Sequence, residues 1–204
     1  MRAVPRVVDH ERRRREIAEA AWRAVARSGL EAATVREIAS EAGCSTGVLA
    51  HYFEDKDALL VHTLHVSIER AIERFGRRGA GERGLGALRA VLREALPLDA
   101  ERAEEMKVWL EFWARAARDE ALRAEQNYWY ALWRGVVRAL VEESQREGEI
   151  DAALDAGREA DSLVALVDGV GMQAIFEPER LAPEEQVALL DAHLDRLRVR
   201  RRPG

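Results

Sequence analysis

The stretch Thr34-Val-Arg-Glu-Ile-Ala-Ser-Glu-Ala-Gly-Cys-Ser-Thr-Gly-Val-Leu-Ala-His-Tyr-Phe-Glu-Asp-Lys56 reads as two short helices joined by a tight turn. Val35, Ile38, Ala39 and Ala42 recur at helical spacing, and Gly43 suits the left-handed residue that stops a helix. Ser45 caps a second helix that carries Val48, Leu49 and Phe53. In such a helix-turn-helix the second helix enters the DNA major groove and turns its first residues toward base edges, where small side chains such as Thr46 and Gly47 fit.

Outward from this stretch the chain reads as all-α. Its 204 residues suit a small domain followed by a larger one, and few segments alternate β-branched with polar residues as strands do. Upstream, Ile17, Ala21, Ala24 and Val25 mark one face of a bracing helix over residues 9–28. Downstream, Asp55 caps a fourth helix that runs to about residue 77, and a Gly-rich loop follows. Further helices are expected over 85–96, from Asp99 to about 118, and over 120–147, 158–176 and 184–199. The expected division places the DNA-binding domain at 1–56 and an effector-binding and dimerisation domain at 57–204, linked by the fourth helix.

Net charge is −5, which argues against indiscriminate binding to nucleic acid. The charge is uneven: residues 1–15 hold six arginines and a net +4, a basic arm suited to phosphates or a minor groove, while residues 57–204 are net −6. The five arginines near the C-terminus, Arg196, Arg198, Arg200, Arg201 and Arg202, read as a solvated end. No leader peptide and no bilayer-spanning apolar run is seen, so a cytoplasmic protein without membrane attachment is expected. The single cysteine, Cys44, makes no internal disulfide and reads as a packing residue of the turn.

Enzymatic motifs are missing: there is no Gly-x-Ser-x-Gly elbow, no phosphate-binding glycine loop, no paired Cys-x-x-Cys and no His-Glu-x-x-His helix. His62, His65 and Glu69 share part of a helix face, but no second ligand cluster accompanies them, so no metal or other cofactor is expected.

The run Ala42-Gly-Cys-Ser-Thr-Gly-Val-Leu-Ala-His-Tyr-Phe-Glu-Asp-Lys-Asp-Ala-Leu-Leu60 resembles the TetR family of transcriptional repressors, with Gly43, Ser45, Gly47, Phe53, Lys56 and Leu59 at the positions that pattern requires. The resemblance implies an N-terminal three-helix DNA-binding domain, a C-terminal helical ligand-binding and dimerisation domain, and a homodimer on a palindromic double-stranded operator. Carried over by position, Thr34, Arg36, Ser45, Thr46, Gly47, Val48, His51, Tyr52 and Lys56 form the DNA-binding set. Arg36 is suited to a guanine O6/N7 pair or a phosphate. His51, Tyr52 and Lys56 match phosphate-contacting positions.

One departure is informative. Many members carry a tyrosine where this chain has Ala50, and Ser45-Thr-Gly-Val-Leu-Ala-His-Tyr-Phe-Glu-Asp-Lys56 is similar to the choline-responsive repressors of betaine synthesis. Met106-Lys-Val-Trp-Leu-Glu-Phe-Trp-Ala114 continues the likeness. A quaternary ammonium ion is held by aromatic faces at ~0.5–2 kcal/mol per contact. Trp109, Trp113, Trp129 and Trp133, with Glu111 or Asp168 as counter-charge, are the candidate cage, against the alternative that these tryptophans are core or interface residues. Two further readings stay open: the same repressor answering to an apolar drug-like effector, and an enzyme with an unrecognised site in the C-terminal helices.

Overall fold

The computed structural model describes residues 6–79 and 81–199, with side chains described from His10 to Arg77 and from Gly81 to Val199. Arg2 and Arg200–Arg202 of the predicted basic ends, and the side chain of Arg6, lie outside the described residues. The all-α expectation is correct. Among the described residues nine helices follow one another: α1 (Arg6–Ser28), α2 (Val35–Glu41), α3 (Thr46–Tyr52), α4 (Lys56–Gly79), α5 (Gly84–Glu94), α6 (Ala100–Ala116), α7 (Glu120–Arg146), α8 (Ala156–Phe176) and α9 (Pro183–Leu197). An isolated bridge between Ile150 and Arg198 is the extended pairing seen among them.

Packing groups the chain into two compact units that do not follow its linear division at residue 56. The first comprises the chain to Arg70 together with Lys107–Gln126, and the second comprises Ala71–Met106 together with the chain from Asn127. The reason lies in burial: Val108, Phe112, Ala116 and Leu122 are enclosed in the first unit. The chain passes between units inside α4, α6 and α7.

In the first unit, Ile17, Ala21, Ala24 and Val25 of α1 are buried with Leu30, Ile38, Leu49, Phe53, Leu59, Leu60 and Leu64. Small alanines on α1 let the short helix α2 approach closely, α3 packs on α2, and isolated helices of this length are unstable without such packing. The end of α6 ties down the turn after α1: Glu111 Oε2 accepts from the Leu30 amide at 3.3 Å. Arg115 reaches Glu31 at 3.1 Å and Asp57 at 3.2 Å, so one guanidinium spans the α1–α2 turn and the start of α4.

The second unit encloses an aliphatic core of Leu85, Leu88, Leu92 and Leu96 from α5, Val137 and Val141 from α7, Leu163, Val164, Val167 and Val170 from α8, and Leu190, Leu194 and Leu197 from α9. Polar ties position its helices. Arg89 and Arg93 both hold Asp191 of α9, at 2.9 and 2.5 Å. Arg74, in the last turns of α4, pairs with Glu94 of α5 at 3.1 Å and Glu105 of α6 at 2.9 Å. Helices α7 and α8 run antiparallel, as shown by Tyr130 with Asp168 and Arg134 with Asp161.

The N-terminus of α5 depends on one glycine. Gly84 has φ +52°, a conformation that L side chains rarely adopt, and a Cβ there would overlap the carboxylates of Glu147 and Glu149. Glu149 caps α5 by accepting from the Leu85 amide at 2.7 Å. Gly84→Ala is therefore expected to cost about 1–3 kcal/mol, combining left-handed strain with the displaced cap. A urea titration reads this as a lower midpoint with an unchanged slope.

Candidate nucleic-acid interface

The turn at the centre of the sequence argument is built from local bonds. Thr34 and Glu37 form a reciprocal capping box: Thr34 Oγ1 accepts from the Glu37 amide at 3.2 Å, and Glu37 Oε2 accepts from the Thr34 amide at 2.8 Å. These bonds to Thr34 lower the Glu37 pKa, so its carboxylate stays charged in the first turn of α2, where the helix dipole favours it. Gly43, at φ +63°, closes α2 with its amide on Ser40 O while the Cys44 amide returns to Ala39 O. Ser45 Oγ then accepts from Val48 N at 3.3 Å and starts α3. Arg13 of α1 donates to Ala42 O at 3.0 Å and fastens the turn to the bracing helix.

These bonds leave a defined surface open. In α3 only Leu49 is buried, with Phe53 buried just beyond, while Thr46, Gly47, Val48, Ala50 and His51 are exposed and Tyr52 is half-buried. Arg36, in the first turn of α2, is also exposed. Tyr52 and His51 are neighbours at 5.3 Å, and His10 of α1 lies against Tyr52 at 4.7 Å. The His10–Tyr52 contact has no signature in the sequence, because no local pattern connects positions so far apart. Lys56 directs its ammonium to Leu30 O at 3.1 Å and Glu31 O at 3.4 Å, leaving one of its three N–H donors for an outside acceptor. The arginines at the start of α1 are also engaged: Arg13 with Glu16 at 2.7 Å and Arg15 with Glu69 at 2.8 Å, while Arg14 lies 5.0 Å from the Phe53 ring centre.

His62 stacks near Phe53 and His65, and burial holds its pKa down to about 4, with Arg14 and His65 adding to the effect. At neutral pH it is an uncharged packing ring. His65 bonds Glu125 at 2.9 Å. Among the described residues no group of three or more His, Cys, Asp or Glu side chains is arranged to hold a metal ion.

The candidate cage residues divide between the units. In the first, Trp109 meets Trp22 edge-on at 5.6 Å, and Trp22 stacks over Phe112 at 6.1 Å. Glu111 accepts from Leu30 N, as above, and the Trp113 indole N–H is buried without a hydrogen-bond partner among the described residues. In the second, Trp129 is buried beside Tyr128, Trp133 lies 4.7 Å from Phe75, and Asp168 accepts from the Tyr130 hydroxyl at 2.8 Å. Burial raises the Asp168 pKa, against the opposing pull of Tyr130 and Arg134. Burial, then the Asp168 charge, raises that of the Tyr130 phenol. Trp22 and Tyr130 are the partners that sequence reasoning missed, since indole and phenol contacts across more than thirty positions leave no spacing signature.

A capped turn that presents a short helix with a small-residue face outward, on a bracing helix, defines a helix-turn-helix DNA-binding protein. The chain belongs to the TetR family of bacterial regulatory proteins, whose N-terminal model matches residues 17–63, and it carries a BetI-type transcriptional repressor C-terminal region at residues 85–199. It is similar to the HTH-type transcriptional regulator PksA of Bacillus subtilis, with 32% identity over 200 residues covering 96% of this chain and 95% of that one. It is also 31% identical over 197 residues to the HTH-type transcriptional regulator BetI of Burkholderia mallei, covering 95% and 97% of the two chains. Among solved structures, a transcriptional regulator from Saccharomonospora viridis in complex with choline superposes with a TM-score of 0.83 at 26% identity, over 92% of this chain and 98% of that one. The chain is accordingly a ligand-responsive transcriptional regulator of the repressor type. Among the described residues no helix is long and apolar enough to cross a membrane.

Proposed function

We propose that the chain acts in the cytoplasm as a homodimeric repressor on a two-fold symmetric operator, and that an organic cation of the choline class releases it. The observation that carries this reading is the BetI-type match across the C-terminal region, joined by a superposable relative that holds choline.

Two features of the second unit support it. Tyr128, Leu132 and Val136 stand four residues apart on α7 and are 56%, 39% and 37% exposed, while Met172 and Phe176 of α8 are 39% and 70% exposed. Two neighbouring antiparallel helices with apolar outer faces suit self-association into a four-helix interface. Such a dimer would set its two recognition helices about 34–36 Å apart, one DNA turn. Trp129, Tyr130 and Trp133 of α7, with Phe75 and the Asp168 carboxylate, supply aromatic faces and a buried acid in one unit. An anionic partner of this kind favours a cationic effector over an apolar drug-like one. Coupling of ~1–3 kcal/mol between the effector and operator sites would release DNA several-fold to a hundredfold.

The test is a mobility-shift titration at fixed salt. Arg36→Ala and Tyr52→Ala are each expected to weaken operator binding about tenfold or more. Choline is expected to quench tryptophan fluorescence and free the DNA. Its affinity should rise with pH through the raised Asp168 pKa, because the cation favours the ionised acid. Silence in both signals would reject choline as the effector, and unchanged affinity in both variants would reject the assigned DNA surface.

A further inference from the structure

Helix α3, Thr46-Gly-Val-Leu-Ala-His-Tyr52, contains none of the side chains that read bases through paired hydrogen bonds: no Arg, Lys, Asn or Gln. The Ser45 hydroxyl oxygen already accepts from Val48 N. What the helix presents instead is largely hydrocarbon. With about 100° between successive residues, Gly47 and His51 lie opposite the buried Leu49, flanked by Val48 on one side and Ala50 on the other. Val48 is 42% exposed although the core below is already filled by Leu49 and Phe53, which are 3% and 4% exposed. A β-branched residue on the outside of a seven-residue helix opposes helix propensity and exposes apolar surface, so the fold alone does not account for it.

Resting on the DNA-binding reading above, we infer that α3 reads thymine, with the Val48 side chain and the Thr46 methyl group packed against thymine C5 methyls in the major groove. Thymine is the base that offers a methyl group there, and an exposed valine or threonine methyl is its complement. Arg36, exposed on α2, adds a guanine or phosphate contact beside these positions. Operator half-sites then carry A·T pairs at the steps facing Val48 and Thr46, and Gly47 between them lets the backbone approach the groove floor.

Removing the methyl group from DNA tests this directly. An operator is first selected from random duplexes with the full chain, and each thymidine is then replaced in turn by deoxyuridine, which pairs identically but lacks the methyl. The expected result is one or more positions per half-site at which this single change weakens binding about fourfold, the value of one buried methyl group, and roughly fifteenfold when both half-sites are changed. Val48→Ala, which keeps a good helix former at this position, is expected to erase the discrimination at one position, so that the variant binds the thymidine and deoxyuridine duplexes equally there. Thr46→Ser does the same at its own position. Equal binding of thymidine and deoxyuridine duplexes at every position overturns the inference, as does discrimination that persists in both variants. Failure to select any duplex overturns the DNA-binding reading itself, a different outcome from indifference to the methyl group.

Discussion

Leu132→Arg is expected to separate the chain into monomers and to weaken operator binding by about a hundredfold or more. Leu132 lies at the centre of the α7 stripe between Tyr128 and Val136 and is 39% exposed, so the substitution leaves the core of a single chain untouched. Arginine is also a good helix former, and α7 should persist. In a two-fold dimer the same patch meets its own copy, so each interface would acquire two like-charged guanidinium groups that must be desolvated near each other. The effect on DNA follows from linkage. Two half-sites bound by joined recognition helices gain from a high effective concentration at the second, and a monomer loses that gain. Sedimentation velocity at micromolar concentration and a mobility shift check both parts. A wild-type chain that sediments as a monomer, or a variant that stays dimeric, rules out this interface.

Phe112→Ala is expected to lower stability by about 3–5 kcal/mol, a large share of the roughly 5–15 kcal/mol available to a domain. Phe112 is 0% exposed and stacks against Trp22 of α1 within the first unit. Removing the ring leaves a cavity beneath the helix that supports the reading surface, and Trp22 loses its stacked partner while keeping its edge-on contact with Trp109. Operator binding should fail at a lower temperature than in the wild type, with Trp22 emission shifting as the cavity admits water. Phe112→Leu, which keeps most of the volume, should cost less than half as much. Equal stability of Phe112→Ala and the wild type would show that the aromatic group carries no packing load.

The helix-turn-helix was legible because its determinants are neighbours in sequence. Thr34 and Glu37 complete their capping box three residues apart, Gly43 supplies the positive φ, and Ser45 caps α3 through Val48 N. Each of these bonds is decided by residues within a turn of one another, so the order of residue types predicts the geometry. The longer helices were legible for the same reason, through apolar periodicity and breakers such as Pro97 and Gly148. The tryptophans and acids proposed for a cage lie on helices, as their spacing predicts, but the side chains they pack against were not readable. Lys56 shows the same limit: the bonds from its ammonium to two carbonyls of the α1–α2 turn join positions about twenty-five apart and leave no local pattern.

By itself the sequence determined an all-α chain with a capped helix-turn-helix at Thr34–Lys56 and the family to which it belongs, because caps, turns and helical periodicity act over about four residues. Only the tertiary structure decided that residues 107–126 pack with the first unit, that Trp22 meets Trp109 and Phe112, that Tyr130 holds Asp168, and that Val48 stays in solvent while Leu49 is buried. These outcomes depend on which surfaces distant segments bring together. Burial and long-range hydrogen bonding select among many pairings that local propensity leaves equivalent.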